Sequence, residues 1–196
     1  MCYISPTNLV FIFSADRKVI MKAIISKDQE SWSGILLNQG KLYYTTYGMK
    51  SKEDIISHLS TISKHTIEVE VNSHPIIDVI NGIANGTNFD VPNIDFDFSG
   101  FTEKEAKVLK TLLKEVPAGK TISYGKLAEI SGYPRAAQFV GNVMMSNRFG
   151  PIIPCHRVIK SDGKLGKFAG RANNPQKKKL LDQEMMKKGI DRYFKF

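Results

Sequence analysis

The sequence predicts a two-domain α/β protein: a small antiparallel sheet with helices first, then a mostly helical second half that contains a helix-turn-helix. Three observations carry this reading. Short apolar runs separated by turn residues fill the first fifty residues, whereas capped runs with helical spacing fill the region after residue 100. Between the halves lies a polar stretch, which predicts domains over 1–87 and 101–196 joined by 88–100. The charge divides at the same place: residues 1–99 hold 8 Lys+Arg against 11 Asp+Glu, and residues 100–196 hold 20 against 8.

The elements follow in order. Asn8–Ser14, Val19–Ser26, Gly34–Leu37 and Lys41–Tyr47 are apolar runs rich in β-branched and aromatic residues, and Asn38-Gln39-Gly40 is a tight turn between the last two. Ser51 is placed to cap a helix whose Ile55, Ile56, Leu59 and Ile62 recur at helical spacing. His58 and His65, in or just after it, read as surface or half-buried helix histidines. Pro75–Ala84 predicts a short helix closing near Gly86, and Asp95-Phe96-Asp97-Phe98 is an extended alternation.

In the second half, Thr102 and Glu105 form a capping-box pattern for a helix through about Glu115, with Val108, Leu109, Leu112 and Leu113 on its apolar face. Pro117-Ala118-Gly119 ends it. Ser123 caps a short helix, Tyr124–Ile130, closed by Gly132, and Pro134 suits the first position of a third helix running to about Asn147. This order is helix-turn-helix grammar. Pro151-Ile152-Ile153-Pro154 cannot continue the helix. A glycine-rich loop, Ser161–Gly170, precedes a last helix over Pro175–Lys188.

Composition narrows the classes of function. The chain has 196 residues, 42% hydrophobic and 24% charged, the balance of a soluble globular protein. No run approaches the ~18 apolar residues of a membrane span, and the N-terminal apolar stretch lacks the basic segment of a secretory signal. Two cysteines, Cys2 and Cys155, make no disulfide framework, so a reducing, intracellular setting is expected. His58, His65, His74 and His156 form no ligand pair with either cysteine, so neither metal nor cofactor is expected. The net charge of +9 suits a polyanionic partner or a solvated lysine-rich surface equally well.

The chemistry-bearing segment is Pro154-Cys155-His156-Arg157-Val158-Ile159, a polar triplet inside an apolar run. A thiol becomes a strong nucleophile when a base or positive field ionises it. Adjacent side chains of an extended segment point opposite ways, so His156 can serve Cys155 only if the chain turns there or a water intervenes.

This segment resembles the active-site motif of the O6-alkylguanine-DNA alkyltransferases (methylated-DNA–protein-cysteine methyltransferases). Val116 through Ala128 resembles the family's approach to its helix-turn-helix, Ala136-Ala137, Val140-Gly141 and Met144 its recognition helix, and Ser161 through Gly166 the loop after the cysteine. The resemblance covers roughly residues 98–186 in unbroken order. It implies a ribonuclease-H-like first domain and a winged-helix-like second domain.

The implied activity is DNA repair by direct reversal: stoichiometric transfer of an alkyl group from guanine O6, or thymine O4, in double-stranded DNA to Cys155. The implied protein is a monomer, cytoplasmic, or nucleoid-associated or nuclear according to the organism. By the same resemblance, His156 deprotonates Cys155 through water and Glu184 orients the imidazole, with Asp182 competing for that role. Asn147 supports the site or merely caps a helix. Tyr124 donates a hydrogen bond toward the guanine, Met144 and Phe168 shape the base pocket, Val158 acts through its carbonyl and Ala169 through its N–H. Arg157 takes a structural ion-pair or carbonyl-binding role. Ala137 and Gly141 let the recognition helix approach the DNA backbone. Gln138 stands where the family places an arginine in the base stack; the glutamine can fill that gap without the cation, and Arg135, one turn away, is the DNA-binding residue expected to compensate electrostatically. Of the lysines on the last helix, Lys177-Lys178-Lys179 and Lys187-Lys188 read as solvated surface. A helix-turn-helix protein that only binds lesions, or a cysteine hydrolase, are the rival readings.

Overall fold

The computed structural model describes residues 10–11, 20–168, 171–172 and 174–187. These divide into two compact units, one within 1–81 together with 91–97, the other within 82–90 together with 98–196.

The first unit is built on a five-stranded sheet in the order β1-β5-β2-β3-β4. Its strands are β1 (Val10–Phe11), β2 (Met21–Asp28), β3 (Ser31–Asn38), β4 (Lys41–Met49) and β5 (Ile67–Val71). The predicted turn between β3 and β4 forms: Gln39 and Gly40 both take positive φ, 49° and 80°, as a two-residue hairpin requires. Ser51 caps α1 (Lys52–Ser63) by accepting from the Asp54 N–H at 3.0 Å.

The sheet is mixed, which corrects the expected antiparallel one. β2, β3 and β4 are antiparallel, but α1 carries the chain across so that β5 pairs parallel with β2 and antiparallel with β1. Ile55 and Leu59 of α1 pack with Ala23, Ile25, Leu36 and Val69 to make the core of this unit. Gly34 allows that approach, since a Cβ there would stand 2.9 Å from both Ile25 and Ile55. The predicted extended stretch lies beside β4: Leu42 N–H donates to Asp95 O and Asp97 N–H to Leu42 O, each at 2.8 Å.

α2 (Pro75–Asn85) precedes the second unit's helices, α3 (Glu103–Glu115), α4 (Tyr124–Ile130), α5 (Ala137–Ser146) and α6 (Pro175–Lys187). The capping box of α3 is complete: Thr102 N–H donates to Glu105 Oε2 at 2.8 Å and Glu105 N–H to Thr102 Oγ1 at 3.3 Å. Val108, Leu109 and Leu112 are its buried face. Ser123 caps α4, accepting from Lys126 N–H at 3.1 Å.

α5 begins at Ala137, three residues later than Pro134 predicts. Tyr133 O accepts from Ala136 N–H at 3.2 Å, and Arg135 has φ +66°. Pro134 therefore sits at the centre of a β-turn beside a left-handed residue, the arrangement of a type II turn, and the helix starts only after it. This turn sets α5 against α4.

Two short parallel strands, β6 (Ile122–Ser123) and β7 (Val158–Ile159), then join the start of α4 to the end of the Cys155 segment. The hairpin strands β8 (Lys167–Phe168) and β9 (Arg171–Ala172) follow. The last helix of the sequence reading reached Lys188, which lies outside the described residues. No helix among the described residues is long and apolar enough to cross a membrane.

Candidate active site

Cys155 opens a single 3₁₀ turn, Cys155–Arg157. Cys155 N–H donates to Ile153 O and Arg157 N–H to Pro154 O, both at 2.9 Å. The chain thus turns at the cysteine, and the three side chains of the triplet diverge. Cys155 is a half-buried free thiol facing a cavity, while His156 and Arg157 are buried.

Behind the thiol, His156 Nε2 lies 2.8 Å from Glu184 Oε1, and both residues are fully buried. Arg157 donates to the same carboxylate through Nε (3.0 Å to Oε1) and Nη2 (2.8 Å to Oε1), and through Nη1 to Val116 O at 2.7 Å. Gly119 N–H completes the set at 3.0 Å from Oε2. Arg157 therefore takes both expected roles. Burial opposes ionisation of Glu184, but the His156 and Arg157 contacts prevail and hold its pKa to about 2. An ionised Glu184 accepts only, so His156 Nε2 carries the proton and Nδ1, which has no partner among the described residues, presents a lone pair. Burial also lowers the His156 pKa, against the pull of Glu184.

Asp182 pairs instead with Lys178 at 2.7 Å, one turn along the outside of α6. Asn147 follows the last residue of α5, yet its side chain reaches across the next loop, donating to Ile153 O at 2.9 Å and accepting from Phe149 N–H at 3.1 Å. Burial pushes the Cys155 thiol pKa up; an Asn147 hydrogen bond, the Lys177 charge and backbone N–H groups act the other way.

Lys177 is a correction to the sequence reading. It is fully buried, not solvated, and its Nζ donates to Val158 O at 2.5 Å and sits 5.9 Å from the Tyr124 ring centroid. Burial lowers its pKa to about 8, while the interaction with Cys155 raises it. The signal was present: Lys177, Leu180, Leu181 and Glu184 fall at i, i+3, i+4 and i+7, one face of α6. The Val158 carbonyl, expected to serve the site, is engaged by this ammonium.

A cavity of about 420 Å³ opens over Cys155. Of the residues singled out from the sequence, it brings together Tyr124, Ala137, Gln138, Gly141, Met144, Cys155 and Phe168. Arg135 is exposed and off its wall, and Ala169 lies outside the described residues. Tyr124 is half-buried, with its pKa raised by burial and by Cys155. Gly166 packs so closely on it that a Cβ there would stand 2.9 Å from Tyr124 Oη. The described residues hold no cluster of three or more His, Cys, Asp or Glu able to bind a metal.

A family model for the DNA-binding domain of 6-O-methylguanine DNA methyltransferase matches residues 103–186, from α3 almost to the end of α6. A methylated-DNA–protein-cysteine methyltransferase of Kluyveromyces lactis is 30% identical over 92% of this chain and 86% of its own length. The chain belongs to the methylated-DNA–protein-cysteine methyltransferase family. The mouse methyltransferase of that name is 47% identical over 75 residues, 38% of this chain, and that match spans only 34% of the mouse protein. Among solved structures, Mycobacterium tuberculosis OGT in complex with DNA has a TM-score of 0.62 and 25% identity, covering 84% of this chain and 93% of that one. The family-model match falls on the unit that carries Cys155, its buried couple and the cavity.

Proposed function

We propose that this chain repairs DNA by direct reversal, moving an alkyl group from guanine O6 in duplex DNA to Cys155, once per molecule. The observation that carries the reading is the buried His156–Glu184 couple (2.8 Å) behind a half-buried thiol at the cavity wall, in a member of this family.

The target atom is stacked inside a duplex, so the nucleotide turns out into the cavity between Met144 and Phe168. His156 Nδ1 takes the Cys155 proton through a bound water, and the resulting imidazolium is held by Glu184. Lys177 and Asn147 favour the thiolate against the cost of its burial. The sulfur attacks the alkyl carbon, the C–O6 bond breaks as the S–C bond forms, and Tyr124 donates a hydrogen bond to the guanine as charge develops on it. The product is a thioether, which water does not readily cleave, so no turnover follows.

α5 enters the minor groove, where Ala137 and the unobstructed Gly141 face, one turn apart, toward the sugar–phosphate backbone. Gln138, exposed at the cavity rim, fills the space left by the turned-out base. The first domain is ribonuclease-H-like, which the parallel β2–β5 pair across α1 supports; the second is winged-helix-like, which β8 and β9 after the helix-turn-helix support. The two domains correspond to the two compact units, with 82–90 going with the second and 91–97 with the first, and the protein acts as a monomer.

The test is incubation with a duplex carrying one O6-methylguanine, followed by intact-mass analysis. One methyl mass on Cys155, with a stoichiometric dose response, is expected; folded protein that gains no mass would falsify the reading. Cys155→Ala abolishes transfer and keeps lesion binding.

A further inference from the structure

The cavity over Cys155 has two unlike walls. The α5 wall, from Ala137 to Met145, contributes no charged side chain. The opposite wall comes from the chain after the 3₁₀ turn, and there two exposed lysines, Lys160 and Lys167, line the mouth. Some other lysines of this unit are engaged with carboxylates: Lys164 with Asp162 at 3.3 Å, Lys126 with Glu129 at 2.9 Å, and Lys178 with Asp182 at 2.7 Å. Among the described residues Lys160 and Lys167 make no such ion pair, although the Lys160 charge is felt at Asp162.

Two ammonium groups at the mouth have no part in holding a neutral base, which Met144, Phe168 and Tyr124 do within. A nucleotide that enters brings its two flanking phosphates to the rim and no further, because the sugar–phosphate chain must continue outside. The α5 wall offers them no cation.

Building on the alkyl-transfer reading, we infer that Lys160 and Lys167 form a phosphate clamp that holds the backbone on either side of the extruded nucleotide. The base is read by the interior and the backbone is charge-compensated from the loop wall. The clamp acts on DNA and has nothing to hold on a free base.

The experiment compares alkyl transfer from a duplex with one O6-methylguanine and from the free O6-methylguanine base, for the wild type, Lys160→Gln/Lys167→Gln and Lys160→Arg/Lys167→Arg. The glutamine variant is expected to lose at least tenfold more rate on the duplex than on the free base. Its log affinity for the lesion duplex against log salt should be shallower by about two, since each lost phosphate contact removes about 0.9 from the slope. The arginine variant restores both. Placing uncharged methylphosphonates on either side of the lesion should remove the difference between wild type and glutamine variant. Equal losses on the two substrates, or an unchanged salt slope, overturn the clamp. A wild type that alkylates Cys155 from neither substrate overturns instead the transfer reading on which it rests.

Discussion

At the scale of single residues, the site is a contest between burial and charge. Cys155 is driven toward the neutral thiol by burial, and Lys177 is the one full positive charge among the groups that oppose this. Lys177→Met therefore raises the apparent pKa of Cys155. Transfer from duplex DNA at pH 7 falls about tenfold for each unit of that rise, and part of the loss returns at pH 9, as a stopped-time assay across pH will show. Glu184 works in the other direction. Its carboxyl lies at about 2 in the folded protein against an ordinary 4.5, so the stability it adds is complete above pH 4.5 and is lost as pH falls toward 2. That window is worth about 3 kcal/mol. Glu184→Gln leaves Arg157 buried without its counter-charge, which costs about 3–5 kcal/mol at neutral pH, and the variant's urea midpoint no longer declines over that acid range.

At the scale of elements, caps and turns decide where helices begin. Thr102→Ala removes the α3 capping box and lowers stability by about 1 kcal/mol, read as a shift in urea midpoint at unchanged slope. The caps at Ser51, Thr102 and Ser123 were legible because a capping side chain acts on a backbone N–H two or three residues away, wholly within a short window of sequence. Pro134 was misread for a reason of the same kind. A proline fits both the first turn of a helix and the second position of a β-turn, and the left-handed Arg135 that settles the matter is a backbone state that residue type alone does not announce. β5 went unnoticed although Ile67-Glu68-Val69-Glu70-Val71 alternates strictly, and its parallel pairing with β2 depends on how α1 crosses the sheet.

At the scale of the whole molecule, the proposed transfer would leave a permanent mark. Alkylation turns the half-buried thiol at the cavity wall, which Asn147 hydrogen-bonds, into a thioether, and loss of that bond costs roughly 0.5–1.5 kcal/mol. The thioether also removes the ionisable group with which the buried Lys177 interacts. The alkylated protein is accordingly expected to melt below the unmodified form in calorimetry; an equal or higher melting temperature would count against this. The charge division of the sequence, −3 before residue 100 and +12 after it, bears on the same scale. Part of the +12 is the rim of the cavity, and part of it, Lys177, never reaches solvent.

The helix-turn-helix order and the polar Cys155-His156-Arg157 segment are legible in the sequence alone, because both are written in contiguous residues whose chemistry is local; the role of Cys155 comes from the resemblance of that segment. The same resemblance also reached Glu184, though only beside Asp182. Only the tertiary structure puts Glu184 against His156, while Asp182, two residues earlier on α6, pairs with Lys178 near the surface. Tertiary structure also turned Lys177 from an apparent member of a surface lysine run into a buried cation beside Cys155. The physical reason is common to both: which face of a helix is covered depends on what packs against it, and the charge state of a side chain depends on that cover.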